Sequence, residues 1–285
     1  MEAREKRLKS TETYDEYPCT IKKETFKLGD ELGSVDVLFF CPNEFDKRQS
    51  YSAVYYIHGG GWCLGGGNHK LPREICFRTN SIVIYPLYSL APEAKFPIAI
   101  EECYGILCKL EKESSIYNID FNTLVVGGDS AGGNITIALS ILCKQRNGPK
   151  FKKQILINPA TDVDFNRSSY LKYGMGGYPL TLDSTIHFYN QYLDFEKDRG
   201  NILACPLKAT KEQLSDFPKT LFILPECDSL ADEGLEFYQN LKSVGVQCSC
   251  FVYLGATHSF LTYKQLQNTK SSKDAVEKFI DFINK

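Results

Sequence analysis

No uninterrupted apolar stretch in the 285 residues approaches the ~18 that a bilayer-spanning helix needs, so no membrane insertion is expected. Neither sign of charge is in excess: 33 Lys and Arg face 35 Asp and Glu, for a net charge of −2. Without a basic field there is no electrostatic ground for nucleic acid or an anionic membrane as a partner. The segment from Met1 to Pro18 is charged and has no apolar h-region, so no signal peptide is expected. Internal repeats and low-complexity tracts are missing too. Cysteine is abundant, at eleven, but the number is odd, the residues are scattered from Cys19 to Cys250, and no Cys-x-x-Cys occurs. A disulfide framework suits a short secreted chain rather than a domain of this size. Nor do Cys and His cluster as structural zinc requires. The cysteines are therefore read as buried free thiols packing as small hydrophobes in a reducing, cytoplasmic setting. No metal and no cofactor are expected.

What is present is ordinary for a globular chain: 43% apolar and 24% charged residues. The length suits one large domain or one domain with a modest lid. Thr20 to Lys27 and Val35 to Cys41 read as two strands joined by a turn around Gly29, an antiparallel start. Short apolar runs follow at Ala53–Ile57, Ser81–Tyr85, Leu124–Val126, Ile155–Ile157, Leu221–Leu224 and Cys248–Leu254. Strands apolar on both faces belong to a sheet covered by helices on both sides. Helical patterns lie between them at Leu71–Thr79, Ile98–Leu110, Ala131–Cys143, Leu230–Ser243 and Asp274–Ile283. In Leu230–Ser243 the residues Leu235, Tyr238, Leu241 and Lys242 fall near one face, with Gly245 as the stop. The alternation predicts an α/β fold with a mostly parallel, doubly wound sheet. From Thr161 to Phe217 no convincing strand occurs, although Leu182 to Leu193 is helix-like. So long a strandless stretch reads as a small helical lid inserted in a single domain spanning 1–285, with an N-terminal arm over 1–19.

The sharpest feature is Gly128-Asp129-Ser130-Ala131-Gly132, a G-x-S-x-G between an apolar strand and a helical stretch. Glycines on either side permit a strained strand-turn-helix bend that lifts the serine hydroxyl out of the turn. A hydroxyl needs a base to become a nucleophile. Of the four histidines, His58, His69, His187 and His258, the last follows the final strand in a loop placed to reach over the sheet's carboxyl edge. The imidazole in turn needs an acid to fix its tautomer. Asp228 follows strand Leu221–Leu224 and is preferred over Glu226, Asp232 and Glu233; Asp232 and Glu233 fall in the first turn of the next helix, where a carboxylate complements the helix dipole. The chain order Ser130, Asp228, His258 is that of an α/β-hydrolase. An oxyanion formed at Ser130 needs fixed donors, and His58-Gly59-Gly60-Gly61-Trp62 ends an early strand with unobstructed backbone N–H groups. Those of Gly60, Gly61 and Ala131 are the candidates. Gly65-Gly66-Gly67 lacks the G-K-[ST] ending of a phosphate-binding loop.

These motifs together resemble the hormone-sensitive-lipase-like family of α/β-hydrolase esterases and lipases. The resemblance rests on His58-Gly-Gly-Gly-Trp62, Gly128-Asp-Ser-Ala-Gly-Gly133, Asp228-Ser-Leu-Ala-Asp-Glu-Gly234 and His258-Ser-Phe260. To these Tyr88-Ser-Leu-Ala-Pro-Glu93 adds a fifth match. It implies a serine carboxylesterase in which Ser130, Asp228 and His258 form the triad and Gly60, Gly61 and Ala131 the oxyanion hole. The chain departs from the family at Ser89, where Arg is usual, and at Ser259, where Gly is common. Related folds include kynurenine formamidase, an amidase, and a plant gibberellin receptor that has lost its catalytic histidine; Gly61 and His258 are both intact here. Pocket walls are expected from Trp62, Leu64, Tyr88, Tyr178, His187 and Phe188, with Phe260 beside the histidine. The expected partner is a small-molecule ester, and a homodimer is left open.

Overall fold

The computed structural model describes residues 16–285, apart from Lys47, Asn68 and the side chain of Phe195. Most of the arm expected over 1–19 therefore lies outside the described residues. Eight strands form one sheet: β1 (Thr20–Lys27), β2 (Ser34–Cys41), β3 (Ala53–Ile57), β4 (Ile82–Pro86), β5 (Val125–Asp129), β6 (Lys153–Ile157), β7 (Lys219–Cys227) and β8 (Cys248–Thr257). Their spatial order is β1-β2-β4-β3-β5-β6-β7-β8. The β1–β2 and β2–β4 pairs are antiparallel and every later pair is parallel. This is the α/β-hydrolase arrangement. The antiparallel start turns on Gly29 and Gly33, both at positive φ, with Leu28 N–H bonded to Gly33 O at 2.8 Å.

The helices used below are α1 (Lys70–Thr79), α2 (Ile98–Lys112), α3 (Ala131–Gln145), α4 (Ser168–Tyr173), α5 (Leu182–Tyr192), α6 (Ala231–Ser243) and α7 (Lys270–Asn284). Because successive strand side chains alternate faces, strands buried throughout feed two cores. On one face Tyr55, Ile57 and Val126 pack with Ile106 and Leu107 of α2 and Ile135, Leu139 and Leu142 of α3; Leu156 and Phe222 pack with Ile137 and Ile141 of α3 and with Phe237 and Leu241 of α6. On the other, Val54, Tyr56, Val125, Ile155 and Ile223 pack against Ile75 of α1 and Phe279 and Ile280 of α7. In α6 the buried stripe is Glu233, Gly234, Phe237 and Leu241, whereas Leu235 is exposed. Of the face expected from Leu235, Tyr238, Leu241 and Lys242, Leu241 and Tyr238 do meet the sheet layer, Tyr238 edge-on against Phe222, whereas Leu235 and Lys242 are exposed, because the stripe centres on Phe237. Gly245 does end that helix, at φ +85°, with its N–H on the Lys242 carbonyl.

Between β6 and β7 the chain forms no strand. It contributes α4, α5 and shorter turns instead, and α5 lies above the carboxyl ends of the central strands. Among the described residues no helix is long and apolar enough to cross a membrane.

Candidate active site

Three parallel strands end within one residue of a chemically significant side chain. Strand β5 stops at Asp129 and is followed by Ser130, β7 stops at Cys227 before Asp228, and β8 stops at Thr257 before His258. Open parallel sheets place ligands at such carboxyl ends. Ser130 has φ 54° and ψ −118° at the head of α3, a conformation rarely adopted by an L-residue. The surrounding backbone holds it there. The Ser130 N–H donates to Ile157 O at 2.9 Å, and its carbonyl accepts from Asn134 N at 3.0 Å and Ala160 N at 3.2 Å. The turn is possible only with glycine beside it. A Cβ on Gly128 would meet the Gly132 carbonyl oxygen at 2.5 Å, and one on Gly132 would strike the carbonyl of Ile57.

His258 Nδ1 lies 2.8 Å from Asp228 Oδ2, and its Nε2 lies 3.1 Å from Ser130 Oγ. An ionised carboxylate only accepts, so Nδ1 carries the proton and donates to Asp228, leaving Nε2 to accept from the serine hydroxyl. The remaining Asp228 oxygen accepts the Leu230 N–H at 3.0 Å, which locks the carboxylate in its own loop. All three side chains are buried, Asp228 to 1% exposure. Asn158 Nδ2 lies 3.4 Å from the same Nδ1; since that nitrogen's proton points to Asp228, this is a packing contact. Of the rival acids, Glu226 accepts from Gly255 N, Asp232 from Ser169 N and Glu233 from Thr161 N, so all three are engaged with backbone. Asp232 and Glu233 do sit in the first turn of α6, but their oxygens fasten neighbouring segments rather than only facing the helix dipole.

The glycine loop after β3 faces the serine turn. Asp129 Oδ1 accepts from both the Gly59 N–H at 3.0 Å and the Tyr56 hydroxyl at 2.9 Å, fixing the loop's first residue. Gly60 and Gly61 follow at φ 127° and 58°. Among the described residues no protein acceptor takes the N–H of Gly60, Gly61 or Ala131, and the last lies at the positive end of α3. A Cβ on Gly61 would collide with the ring of Phe188 on α5. Trp62 anchors that helix: its indole stacks on Tyr192, centroids 4.4 Å apart and planes 4° from parallel, with Tyr189 at 4.9 Å.

A cavity of about 170 Å³ opens above Ser130, lined by Gly60, Gly61, Trp62, Leu64, Ser130, Ala131 and His258. Ala160, Leu180, Thr185, Phe188, Tyr189 and Tyr263 complete much of its wall. Trp62, Leu64 and Phe188 thus lie where the sequence suggested. Tyr88, Tyr178, His187 and Phe260 do not line it. Tyr88 is buried beneath the glycine loop, stacked on His58 at 4.2 Å and donating its hydroxyl to the His58 carbonyl. Tyr178 packs edge-on against Tyr173, His187 is exposed, and Phe260 packs with Tyr253 in the core. The helical period explains His187: positions 184, 185, 188 and 189 share the face of α5 turned to the cavity, and 187 falls off it. The same period was the available signal for Ser184, Thr185 and Tyr189. Tyr263 and Ala160 had no comparable signal. Ser89, where a cation is usual in the family, donates its N–H and hydroxyl to the buried Glu102 carboxylate at 2.7 and 2.6 Å. Burial raises the pKa of Glu102, with those two donors opposing it. Among the described residues no His, Cys, Asp and Glu grouping is arranged to hold a metal.

Residues 54–262 match the family model described as the alpha/beta hydrolase fold. The chain is 35% identical over 279 residues to vegetative-specific protein H5 of Dictyostelium discoideum, covering 92% of this chain and 80% of that protein. It is 31% identical over 231 residues to an ethyl acetate hydrolase of Pseudomonas putida, covering 80% and 72% of the two chains. A thermostable esterase from Pseudomonas putida ECU1011 superposes with a TM-score of 0.93 at 26% identity, over 99% of this chain and 88% of the other. The chain belongs to the hormone-sensitive-lipase-like family of α/β-hydrolases. It is a carboxylic ester hydrolase.

Proposed function

We propose that this esterase cleaves small, short-acyl carboxylic esters by transient acylation of Ser130. The observation that carries the reading is the unbroken relay from Asp228 Oδ2 through His258 to Ser130 Oγ, at 2.8 and 3.1 Å, on the floor of the cavity. Ser130 Oγ attacks the ester carbonyl as His258 Nε2 takes its proton. Negative charge develops on the carbonyl oxygen, which the N–H groups of Gly60, Gly61 and Ala131 receive. His258 then protonates the leaving alcohol, and a water molecule, activated by the same nitrogen, releases the acid. Asp228 orients His258 and stabilises its cationic form. No metal or cofactor takes part in this sequence.

A site of about 170 Å³ is small beside the several hundred that hold drug-sized ligands, which supports short acyl groups. Phe188, Trp62 and Tyr189 bound it on the α5 side, and the strandless segment over 161–217 serves as its lid. The eleven cysteines, none of them in a disulfide, support a reducing cytoplasmic setting.

The test is hydrolysis of 4-nitrophenyl esters of rising acyl length. The rate constant kcat/KM is expected to peak at two to four carbons and fall about tenfold or more toward the long chains. Ser130→Ala should lower it by about 10⁴-fold or more. Turnover that survives Ser130→Ala would refute the acyl-enzyme, whereas a maximum at long acyl chains would refute only the size assignment.

A further inference from the structure

Most polar side chains in the cavity wall are already engaged within the protein. The hydroxyls of Ser184 and Thr185 both donate to the Thr181 carbonyl, at 2.8 and 2.9 Å. Asp129 accepts from Gly59 and Tyr56, and the polar atoms of Trp62 and Tyr189 are buried out of reach of water. Apart from Ser130 and His258, that leaves Ser259 and Tyr263. Tyr263 is 44% exposed, so bulk water serves its hydroxyl. Ser259 is half-buried and directly follows His258, and among the described residues its hydroxyl has no hydrogen-bond partner.

The backbone gives no reason for a serine here. Ser259 has φ 60°, in the left-handed region where glycine is at ease and a residue with a Cβ is strained. Its carbonyl closes the turn by accepting the N–H groups of Thr262 and Tyr263, each at 2.9 Å, and the Thr262 hydroxyl at 3.3 Å. Glycine would supply that carbonyl equally well. The side chain therefore adds strain, makes no bond inside the protein, and presents a free hydroxyl to the cavity beside the histidine that protonates the leaving alcohol.

We infer that Ser259 reads the alcohol portion of the ester, and that the preferred substrates are short-acyl monoesters of 1,2-diols rather than esters of simple alkanols. The inference rests on the acylation of Ser130 proposed above. His258 Nε2 delivers its proton to the leaving oxygen, so the alcohol departs on the histidine's side of the site. Neighbouring Cα atoms are only about 3.8 Å apart, which sets the Ser259 hydroxyl near the first two carbons of that alcohol. A hydroxyl on the second carbon exchanges a hydrogen bond with Ser259 Oγ as the site closes around the ester. A methyl in the same place displaces water from Ser259 and returns nothing, and a polar group left unpaired in this way selects against the alkyl ester.

The experiment compares 2-hydroxyethyl butanoate with propyl butanoate, which have the same number of heavy atoms, by titrating the acid released at constant pH. 4-Nitrophenyl butanoate serves as the reference ester. The ratio of kcat/KM, hydroxyethyl over propyl, is expected to favour the hydroxyethyl ester about five- to tenfold. In Ser259→Ala and Ser259→Gly that ratio should fall by a similar factor through loss on the hydroxyethyl ester, with propyl and 4-nitrophenyl turnover changed less than about twofold. Glycine suits φ 60°, so Ser259→Gly keeps the turn, and a ratio measured within one variant does not depend on how much of it is folded. Equal loss on all three esters would show that Ser259 only supports His258 and would overturn the inference. Turnover of 4-nitrophenyl butanoate with neither alkyl ester cleaved, or with a ratio unchanged in the variants, would overturn it while leaving the acyl-enzyme standing. No turnover of any of the three would overturn both.

Discussion

Glu233 is fully buried on α6, a little more than one helical turn beyond Asp228. Its Oε1 accepts the Thr161 N–H at 2.6 Å and its Oε2 the Tyr170 hydroxyl at 3.0 Å, so it fastens the loop of the candidate acid to the segment that walls the cavity. Burial raises its pKa from 4.5 to about 8, against the Thr161 and Tyr170 donors and the nearby Arg167, which lower it. The folded protein thus keeps this carboxyl protonated at pH values where the unfolded chain, titrating near ~4.3, has already ionised. The associated stability is complete below the unfolded value and is lost as pH rises through the folded one. Urea unfolding midpoints of the unmodified protein should therefore drop between pH 5 and pH 8, and Glu233→Gln should flatten that drop. An equal drop in the variant would assign the pH dependence to other groups. Asp162 belongs to the same region, paired with Arg167 at 2.9 Å, so the comparison is between the two proteins rather than between absolute values.

At the scale of elements, the serine turn depends on the approach of α3 to β3. A Cβ on Gly132 would meet the carbonyls of Ile57 and His58, backbone atoms that cannot swing aside as a flexible side chain could. Either α3 withdraws or the Ile57–Gly61 segment bends, and each movement separates Ser130 from the glycine loop. Gly132→Ala is expected to destabilise the fold by about 2 kcal/mol or more. The loss of ester turnover in whatever protein remains folded should exceed tenfold. Thermal unfolding and turnover per folded molecule check both parts; a variant with unchanged stability and turnover would show that the turn tolerates a side chain. Helix α5 shows the complementary case. Its cavity face is set by ordinary helical periodicity, and Trp62 and Tyr192 clamp it to the glycine loop by stacking.

For the molecule as a whole, the antiparallel start, the mostly parallel sheet and the placement of Ser130, Asp228 and His258 after three strands were legible in the sequence, whereas the spatial order of the strands was not. Glycine spacing around Ser130 and unbroken apolar runs carry steric and burial demands that few backbones satisfy. The walls of the cavity were only partly legible. Tyr88 and Phe260 are aromatic and close in sequence to the motifs, yet one supports the glycine loop from beneath and the other fills the core. Aromatic character reports burial without saying against what. Tyr263 and Ala160 reach the cavity through loop geometry, which has no periodicity to read. The direct measurement of the whole arrangement is intact-mass labelling with a fluorophosphonate, which reacts only with a serine made nucleophilic by its base. One adduct per chain is predicted, mapping to Ser130, absent in Ser130→Ala and formed at least about 10²-fold more slowly in His258→Ala. No adduct, or an adduct on another residue, would contradict Ser130 as the nucleophile and with it the ester mechanism.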